Sequence, residues 1–424
     1  MENKTKYFKA LEKLISFESV YSAPQPNAPF GTANKNALEF FLSTASQMGF
    51  KTIDYDGYAG EVVFGEGEEI GIIGHLDVVP VGHGWDSPPF SLTKKDGKYF
   101  ARGIGDDKAP LLSCLFALKE LKDSGTDVGV KFRLIAGCDE ESGWRDVEYI
   151  KTKTTLPEYG FSPDGNFPLS YAEKGMYEIS FELPKLTYFS DLKGGTVVNA
   201  VCDFASAVQH GKEVDLELIK KHGLTVKNGN VIQSFGKAAH GSTPHLGKNA
   251  IKPLLEYMLD MGENVKQVID FLFNDTLGVS SLKNEQGIIT FSPDLIFEKE
   301  EKVFITCDCR IPAPFTLSTA MEKFKCFGLP ITVKTRHEPV MVQKDGWFVQ
   351  TLLNSYDNIM QTTSVPLSMG GSTFARAFKK GCAFGPSFPN YDNKIHDANE
   401  NESEENLLKA YEIYKKAIFS LAKK

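Results

Sequence analysis

Residues 70–77 read Ile70-Gly-Ile-Ile-Gly-His75-Leu-Asp77, an apolar run that ends in a histidine and a carboxylate. A second run follows the same plan, because Val130-Lys-Phe-Arg-Leu-Ile-Ala-Gly-Cys-Asp139-Glu140-Glu141 ends in three carboxylates. Short apolar runs bounded by polar residues are typical of buried strands. In an open α/β sheet, ligands gather in the crevice beyond the carboxyl ends of the strands. We therefore expect His75 and the pair Glu140-Glu141 to reach the same crevice.

Strand and helix patterns alternate through about the first 175 residues, an order that points to a largely parallel sheet. One helix should begin after the acidic pair Asp106-Asp107 and stop near Gly125. Its apolar residues follow helical spacing and are Leu111, Leu112, Leu115, Leu118 and Leu121. We predict an α/β fold in which a mainly parallel central sheet is flanked by helices.

The pattern changes from about Met176, where strands with alternating apolar residues begin. A helix carrying Ile251 and Leu254 follows, and then two segments near Gly287–Phe297 and Lys302–Ile311 that could pair as a hairpin. This part of the chain is typical of a separate α+β domain.

The helix-rich pattern returns after Pro339, with one helix around Trp347–Met360 and a last one from Ser403. The first domain is therefore predicted to be split by an insert. We place its first half, the insert and its second half at residues 1–175, 176–338 and 339–424.

Composition excludes several classes of protein. A net charge of -8 argues against a surface that binds nucleic acid, because such a surface normally carries an excess of basic residues. No early segment combines the basic start, the long apolar run and the small-residue cleavage site of a signal peptide. We therefore expect neither secretion nor membrane spanning. The seven cysteines have no paired spacing, and Cys307 and Cys309 are interpreted as buried strand thiols. We expect a cytoplasmic protein with no nucleic-acid or membrane partner.

The polar residues after the strands form a ligand set for metals. His75 and His396 supply two imidazoles, and Asp106, Asp164 and the Glu140-Glu141 pair supply carboxylates. This set suits two zinc ions, or manganese or cobalt, with one carboxylate shared between them. One of the paired glutamates could bind metal while the other acts as a base, and Asp77 could orient an imidazole.

Each of these residues has a simpler interpretation when it is taken alone. Asp106-Asp107 is also a helix cap, Asp164 lies in an ordinary Ser-Pro-Asp-Gly turn, and His396 could be a surface residue. Only their combination indicates a metal-dependent hydrolase.

The same stretches resemble the M20 family of dinuclear zinc peptidases and deacylases, and they occur in the family's order through nearly the whole chain. They are Gly74-His-Leu-Asp-Val-Val-Pro80, Ala101-Arg-Gly-Ile-Gly-Asp-Asp-Lys108, Asp139-Glu-Glu-Ser142, Ser162-Pro-Asp-Gly165 and Ile395-His-Asp-Ala-Asn-Glu400. The resemblance implies a zinc-peptidase-like catalytic domain with an inserted α+β lid domain.

The resemblance also implies roles for the ligand set. His75 and Asp164 would bind one metal, Glu141 and His396 would bind the other, and Asp106 would bridge them. Asp106 is preferred to Asp107 because the family's bridging residue stands two positions before the lysine. Glu140 would be the general base, and Asp77 would orient an imidazole.

Other stretches resemble the branch of PepV-like and carnosinase-like dipeptidases. They are Trp85-Asp-Ser-Pro-Pro-Phe90, Gly195-Thr-Val-Val-Asn199 and Ala239-His-Gly-Ser-Thr-Pro244. The likeness implies that His240 stabilises the oxyanion and that Asn199 helps to hold the substrate. Arg310 and the loop residues Gly370, Gly371 and Ser372 would grip the C-terminal carboxylate of the peptide. Without the family, Arg310 could equally be a surface charge on a strand.

We expect hydrolysis of small dipeptides by a water that two metals activate, with Glu140 as the general base. Two alternatives remain at this point, an N-acyl amino acid deacylase of the same family and a metal- or peptide-binding protein without turnover. The protein could be a monomer or a homodimer. His240 could act in its own subunit or in a partner's, because the insert is short for this branch.

Overall fold

A computed structural model describes residues 2–324 and 328–424. The chain divides into two compact units. Unit 1 comprises Met1–Tyr171, Met341–Leu367 and Thr373–Lys424. Unit 2 comprises Ala172–Val340 and Ser368–Ser372. The chain therefore passes from unit 1 to unit 2 and back, and a five-residue stretch at 368–372 returns to unit 2.

The α-helices of the described residues are distributed over the whole chain. They are α1 (Glu2–Ile15), α2 (Thr32–Gln47), α3 (Lys108–Asp123), α4 (Arg145–Lys153), α5 (Leu216–Lys221), α6 (Ile251–Asp260), α7 (Lys266–Asn274), α8 (Leu317–Phe324), α9 (Trp347–Met360) and α10 (Glu404–Leu421). Within the part of the chain that the structure describes, none of these helices combines the length and the apolar character that crossing a membrane requires.

The strands of unit 1 are mostly short, and those of unit 2 reach ten residues. They are β1 (Lys51–Tyr55), β2 (Ala59–Gly65), β3 (Glu68–His75), β4 (Thr93–Lys95), β5 (Lys98–Phe100), β6 (Val130–Gly137), β7 (Tyr159–Ser162), β8 (Ser170–Glu173), β9 (Gly175–Glu182), β10 (Phe189–Gly194), β11 (Phe204–Gln209), β12 (Thr225–Lys227), β13 (Val231–Phe235), β14 (Lys283–Asn284), β15 (Gly287–Ile288), β16 (Thr290–Lys299), β17 (Lys302–Ile311), β18 (Ile331–His337), β19 (Val340–Met341), β20 (Leu367–Met369), β21 (Lys380–Ala383) and β22 (Asn401–Ser403).

The main sheet of unit 1 has a parallel centre. Its order from one edge is β1-β2-β6-β3-β7-β21-β8. The four central strands β6, β3, β7 and β21 run parallel to one another, whereas the β1-β2, β2-β6 and β21-β8 pairs are antiparallel. Helix α3 packs on β3 and β6, while α2 and α4 pack on β1 and β2. The predicted α/β fold is confirmed, with antiparallel edges added to the parallel centre.

Helix α3 follows directly on the acidic pair, as the sequence predicts. It begins at Lys108 and ends at Asp123, and Gly125 adopts a left-handed conformation with φ of 66° just beyond it. The predicted leucines of this helix are all buried. Helix α3 is therefore a central element of the core and fixes the position of the residues before it.

One aromatic ring packs against two glycines of the parallel sheet. Gly71 of β3 pairs with Gly160 of β7, and the Phe378 side chain covers both. A Cβ atom on Gly71 would lie 2.2 Å from the Phe378 ring, and one on Gly160 would lie 2.4 Å from it. The sheet therefore admits this buried ring only because neither residue carries a side chain.

Unit 2 is built on an antiparallel sheet with the order β12-β13-β11-β10-β16-β17-β9-β18. The predicted hairpin is confirmed as β16 and β17, whose register pairs Phe297 with Phe304. Apolar residues of α6, α7 and α8 pack with these strands in one buried cluster. Cys307 and Cys309 are buried free thiols of β17, as predicted, while Cys326 lies outside the described residues.

We expect Gly71→Ala to lower the free energy of unfolding by about 1–3 kcal/mol, because the added methyl group overpacks the Phe378 ring. Adding Phe378→Leu to Gly71→Ala should recover part of this loss. Urea unfolding of the two single variants and the double variant measures the coupling, which we expect at about 0.5–3 kcal/mol. Strictly additive effects would contradict the contact.

Candidate metal centre

The parallel register aligns the ends of two strands. His75, the last residue of β3, pairs with Gly137, the last residue of β6. Asp139, Glu140 and Glu141 follow β6 after one intervening residue, Cys138. His75 is buried, with 1% of its surface exposed. The two motifs at residues 70–77 and 130–141 therefore meet at one edge of the sheet.

One carboxylate, that of Asp106, lies between two imidazoles. Its Oδ1 is 2.8 Å from Nε2 of His75, and its Oδ2 is 2.9 Å from Nε2 of His396. Each imidazole also faces a second carboxylate. Glu141 Oε1 lies 3.1 Å from Nε2 of His396, and Asp164 Oδ2 lies 3.8 Å from Nε2 of His75. The five predicted metal ligands thus come together within unit 1, in two groups that share Asp106.

The neighbouring aspartate, Asp107, has a different position. It is fully buried, and its Oδ2 accepts a hydrogen bond of 3.2 Å from the backbone N–H of His75. The peptide bond between Asp106 and Asp107 is cis. Of the two aspartates, it is Asp106 whose carboxylate lies between the imidazoles.

The donor set fits divalent metal ions. His75, Asp106 and Glu141 each offer one ligand atom, and these three atoms lie within 4.8 Å of one another. Imidazole nitrogens with carboxylate oxygens are ligands that zinc, manganese and cobalt accept.

The same cluster has an excess of buried negative charge. Burial raises the pKa of Asp164 well above its usual range, and the neighbouring Asp106 carboxylate adds to the rise. Burial also raises the pKa of Glu140 and that of Glu141. The His396 side chain is half-exposed; its partial burial alone would lower its pKa, but contacts with Asp106 and Glu141 raise it to about 11. The carboxylate shifts come first from burial, and the neighbouring carboxylates add to them, so the cluster favours added positive charge.

His75 is held in a single orientation. Its Nδ1 lies 2.9 Å from the backbone carbonyl oxygen of Asp77, which can only accept a hydrogen bond. In the neutral imidazole, Nδ1 must therefore carry the proton, and the Nε2 lone pair faces Asp106. This tautomer leaves Nε2 available as a metal ligand.

The backbone carbonyl of Asp77 lies closer to the His75 imidazole than its carboxylate does. The Asp77 carboxylate is 3.5 Å from Nδ1 of His75. Its two oxygens instead accept hydrogen bonds from the backbone N–H groups of Glu140, at 3.2 Å, and Glu141, at 3.0 Å. The side chain of Asp77, which follows β3, therefore holds the backbone of the loop that follows β6.

The loop after β6 is braced from its other side as well. The Asp146 carboxylate accepts hydrogen bonds from the backbone of Cys138, at 2.7 Å, and Asp139, at 3.0 Å. Asp139 in turn pairs with the guanidinium of Arg145, with contacts of 2.6 and 2.7 Å. These contacts restrict the backbone on which Glu140 and Glu141 stand.

Sequence reasoning gave no role to two further residues of the quoted motifs, Arg102 and Glu400. They form a buried ion pair of 2.8 Å beside Asp106 and His396. Both residues belong to the motifs, but charged residues in loops are usually exposed, so the sequence alone does not predict that this pair is buried. Only the fold shows that these two are enclosed.

The residues predicted to contact substrate lie in unit 2. The backbone of Asn199 accepts a hydrogen bond of 2.6 Å from the N–H of Gly241, next to His240. Arg310 donates from Nη1 to the carbonyl oxygen of Gly370 at 3.1 Å. Gly371 and Ser372 follow in the same stretch. Within unit 2, these residues therefore belong to neighbouring segments.

The Arg310 side chain is buried and is therefore not a surface charge, the alternative interpretation of its strand position. It is 1% exposed, and its Nε lies 2.9 Å from both carboxylate oxygens of Asp308. Its Nη2 lies 2.8 Å from Asp308 as well. The surface interpretation of Arg310 is wrong because its charge is paired inside the unit. His240 is exposed, and its Nδ1 lies 2.7 Å from the hydroxyl of Ser242.

The chain matches the model of Peptidase family M20/M25/M40 over residues 71–420. It therefore belongs to this family, as its motifs predict. It is an enzyme, a metallopeptidase, and its family implies divalent metal cofactors.

The curated relatives have similar lengths. A Staphylococcus epidermidis protein named "Putative dipeptidase" is 31% identical over 460 residues, covering 99% of this chain and 98% of the relative. A Staphylococcus aureus (strain USA300) protein with the same description is 32% identical over 450 residues, covering 97% and 96%.

Among solved structures, human carnosine dipeptidase 1 is similar with a TM-score of 0.63 and 14% identity, covering 99% of this chain and 96% of that one. At this identity the likeness shows a shared fold. The predicted class, a peptidase-like α/β domain with an inserted α+β domain, is confirmed.

We expect Asp77→Asn to weaken metal binding by about 10–100-fold, because an amide has a single acceptor oxygen and loses one of the two backbone contacts. Calorimetric titration with zinc measures the effect. Asp54→Asn is the matched control, since Asp54 accepts a backbone hydrogen bond of 2.8 Å from Gly57 in another turn. Equal metal affinities for Asp77→Asn and the wild type would show that this brace does not support the site.

Proposed function

We propose that the protein hydrolyses dipeptides and that it uses two bound divalent metal ions to do so. The proposed metal is zinc, and manganese and cobalt are other ions that the ligands accept. One observation carries the proposal: the Asp106 carboxylate has one oxygen 2.8 Å from the His75 imidazole and the other 2.9 Å from the His396 imidazole. A carboxylate in this position is suited to bridge two ions.

His75 and Asp164 would hold one metal, and His396 and Glu141 would hold the other, with Asp106 common to both. When bound, the metals polarise the peptide carbonyl and lower the pKa of a water molecule. Each imidazole has its own second carboxylate, so the two ions would have comparable ligand sets. The distances of Asp164 to His75 and of Glu141 to His396 support this pairing, which the family resemblance implies.

Glu140 is proposed as the general base. It precedes Glu141, and the Asp77 carboxylate holds the backbone N–H groups of both. Glu140 would accept the proton of the attacking water on its carboxylate and then deliver it to the nitrogen of the leaving amine. The two neighbouring glutamates thereby have separate tasks, with Glu141 on the metal and Glu140 on the proton.

The predicted insert, residues 176–338, is proposed as a lid that contributes substrate contacts. His240 would stabilise the oxyanion, and Asn199 would help to hold the substrate. Arg310, with Gly370, Gly371 and Ser372, would bind the C-terminal carboxylate of the peptide.

The surroundings of Arg310 are compatible with this role. The contacts with Asp308 and the Gly370 carbonyl occupy three of the five N–H donors that a guanidinium carries. These contacts fix the plane of the group, and a fixed guanidinium plane favours recognition of a planar carboxylate.

The choice of dipeptides rests on the relatives. Proteins described as "Putative dipeptidase" are 31% and 32% identical to this chain over nearly its whole length. A clamp on a free C-terminal carboxylate would also limit the length of the substrate. The protein is proposed to act on small peptides, as a monomer or a homodimer.

We expect Glu140→Gln to lower kcat for dipeptide cleavage about 10²–10⁴-fold, because the amide cannot accept the proton. Metal content and KM should stay near the wild-type values, since Glu140 is not a proposed ligand. Stopped assays and metal analysis of the purified variants measure both. Glu148→Gln, a change of an exposed glutamate on α4, is the control and should leave kcat unchanged. Full activity of Glu140→Gln would remove the general base from the proposal.

A substrate panel tests the proposed selection. The wild type should cleave a dipeptide faster than the corresponding dipeptide amide and faster than an N-acetyl amino acid. In Arg310→Lys the preference for the free carboxylate over the amide should fall about 10-fold or more, because a charge-assisted contact is weakened. Rates for the three substrates with both proteins give the answer. Faster cleavage of the N-acetyl amino acid would identify a deacylase instead.

A further inference from the structure

A buried ion pair joins the two loops that carry Asp106 and His396. Arg102 and Glu400 are 1% and 0% exposed, and Nη1 of Arg102 lies 2.8 Å from Oε2 of Glu400. The two residues are almost 300 positions apart in the chain. Each stands within four residues of a proposed metal ligand.

The Glu400 carboxylate holds the turn that ends at Asp106. Besides Arg102, it accepts hydrogen bonds from the backbone N–H of Gly103, at 3.1 Å, and of Gly105, at 2.9 Å. Gly105 is the residue directly before Asp106. The Glu400 side chain therefore fixes the backbone from which the Asp106 carboxylate projects.

The Arg102 guanidinium reaches the loop of His396. Its Nη2 lies 3.4 Å from the backbone carbonyl oxygen of His396 and 3.4 Å from that of Pro80. The Trp85 ring lies beside it, with its centroid 5.3 Å from the guanidinium carbon. The pair thus spans the distance from the turn before Asp106 to the backbone of His396.

His396 depends on such contacts because no regular element holds it. The segment from Lys394 to Asn399 has no helix or strand, and β22 begins only at Asn401. His396 itself has a left-handed φ of 68°. A backbone hydrogen bond of 3.0 Å from Asp397 to Lys394 together with side-chain contacts, rather than a strand ladder, therefore sets where its imidazole lies.

We propose that Arg102 and Glu400 are positioning residues that fix Asp106 relative to His396 and thereby set the affinity of the metal position formed by Asp106, His396 and Glu141. The inference rests on the proposed function. It adds a residue pair that is not among the proposed metal ligands or substrate-binding residues.

Stability alone does not explain the pair. Burying two charges carries a desolvation penalty that their attraction often only balances, so well-packed apolar residues of similar size can be as stable. A buried ion pair with several fixed hydrogen bonds instead defines the relative positions of the segments that it joins. In this chain the pair joins two loops that must both reach one metal.

The test compares Glu400→Gln with a matched control, Glu61→Gln. Glu61 also forms a buried pair with an arginine of unit 1, because Nε and Nη2 of Arg133 lie 2.6 and 2.9 Å from its two oxygens. That pair joins β2 to β6 and contacts none of the proposed ligands. Both variants lose one buried negative charge, so a loss of stability alone affects them alike.

Cobalt is titrated into each metal-free protein, and both binding steps are followed by calorimetry and by the visible spectrum of the bound ion. We expect Glu400→Gln to weaken one of the two steps about 10–100-fold and to change the spectrum of that ion. The other step should weaken less, because Asp106 is common to both proposed positions whereas His396 belongs to only one of them. Glu61→Gln should keep both affinities and both spectra, although its thermal unfolding temperature falls.

Two results would overturn the inference: unchanged affinities in Glu400→Gln, or equal losses in both steps. If Glu400→Gln does not fold, Arg102→Lys replaces it, since lysine keeps a charge for Glu400 but cannot also reach the His396 carbonyl. The same criteria then apply to that variant.

The wild-type titration separates the inference from the proposed function. A single metal per wild-type chain would refute the two-metal proposal. The single binding step would then test the role of Arg102 and Glu400. A weaker metal affinity in Glu400→Gln but not in Glu61→Gln would support that role, and any other result would reject it.

Discussion

The structure of the site depends on one carboxylate, that of Asp106, which lies between two imidazoles. Its oxygens are 2.8 Å from His75 and 2.9 Å from His396, residues more than 300 positions apart. The parallel register of β3 and β6 fixes His75, and the start of α3 fixes the chain just after Asp106. His396 comes from a loop without regular structure, so its position depends on side-chain contacts.

The same arrangement concentrates negative charge where water is largely excluded. Burial raises the pKa of Asp164 and that of Glu141, while contacts with the two imidazoles lower the pKa of Asp106 despite its burial. Carboxylates in this situation repel one another, and a divalent cation relieves the repulsion. Binding of metal should therefore also stabilise the folded chain, because a ligand that binds only the folded state shifts the unfolding equilibrium. Folding and cofactor binding are linked through the same few side chains.

Much of this could be predicted from sequence, and the reasons are local. The apolar strands that end at His75 and Gly137 have the pattern of a parallel sheet, and α9 has the predicted bounds Trp347–Met360. The choice of Asp106 over Asp107 came from a family resemblance, since two adjacent carboxylates are equivalent in a sequence pattern. Tertiary contacts were not accessible in this way. The bonds from the Asp77 carboxylate to two backbone amides depend on a loop conformation that no periodicity encodes.

We propose that Asp106 is shared by two metal ions. Electron paramagnetic resonance of the protein loaded with manganese tests it most directly, because ions that share a carboxylate at about 3.5–4 Å are magnetically coupled. The account predicts two manganese ions per chain and the broad, exchange-coupled spectrum of a pair. A six-line spectrum of isolated ions at full loading, or saturation at one ion per chain, would contradict it.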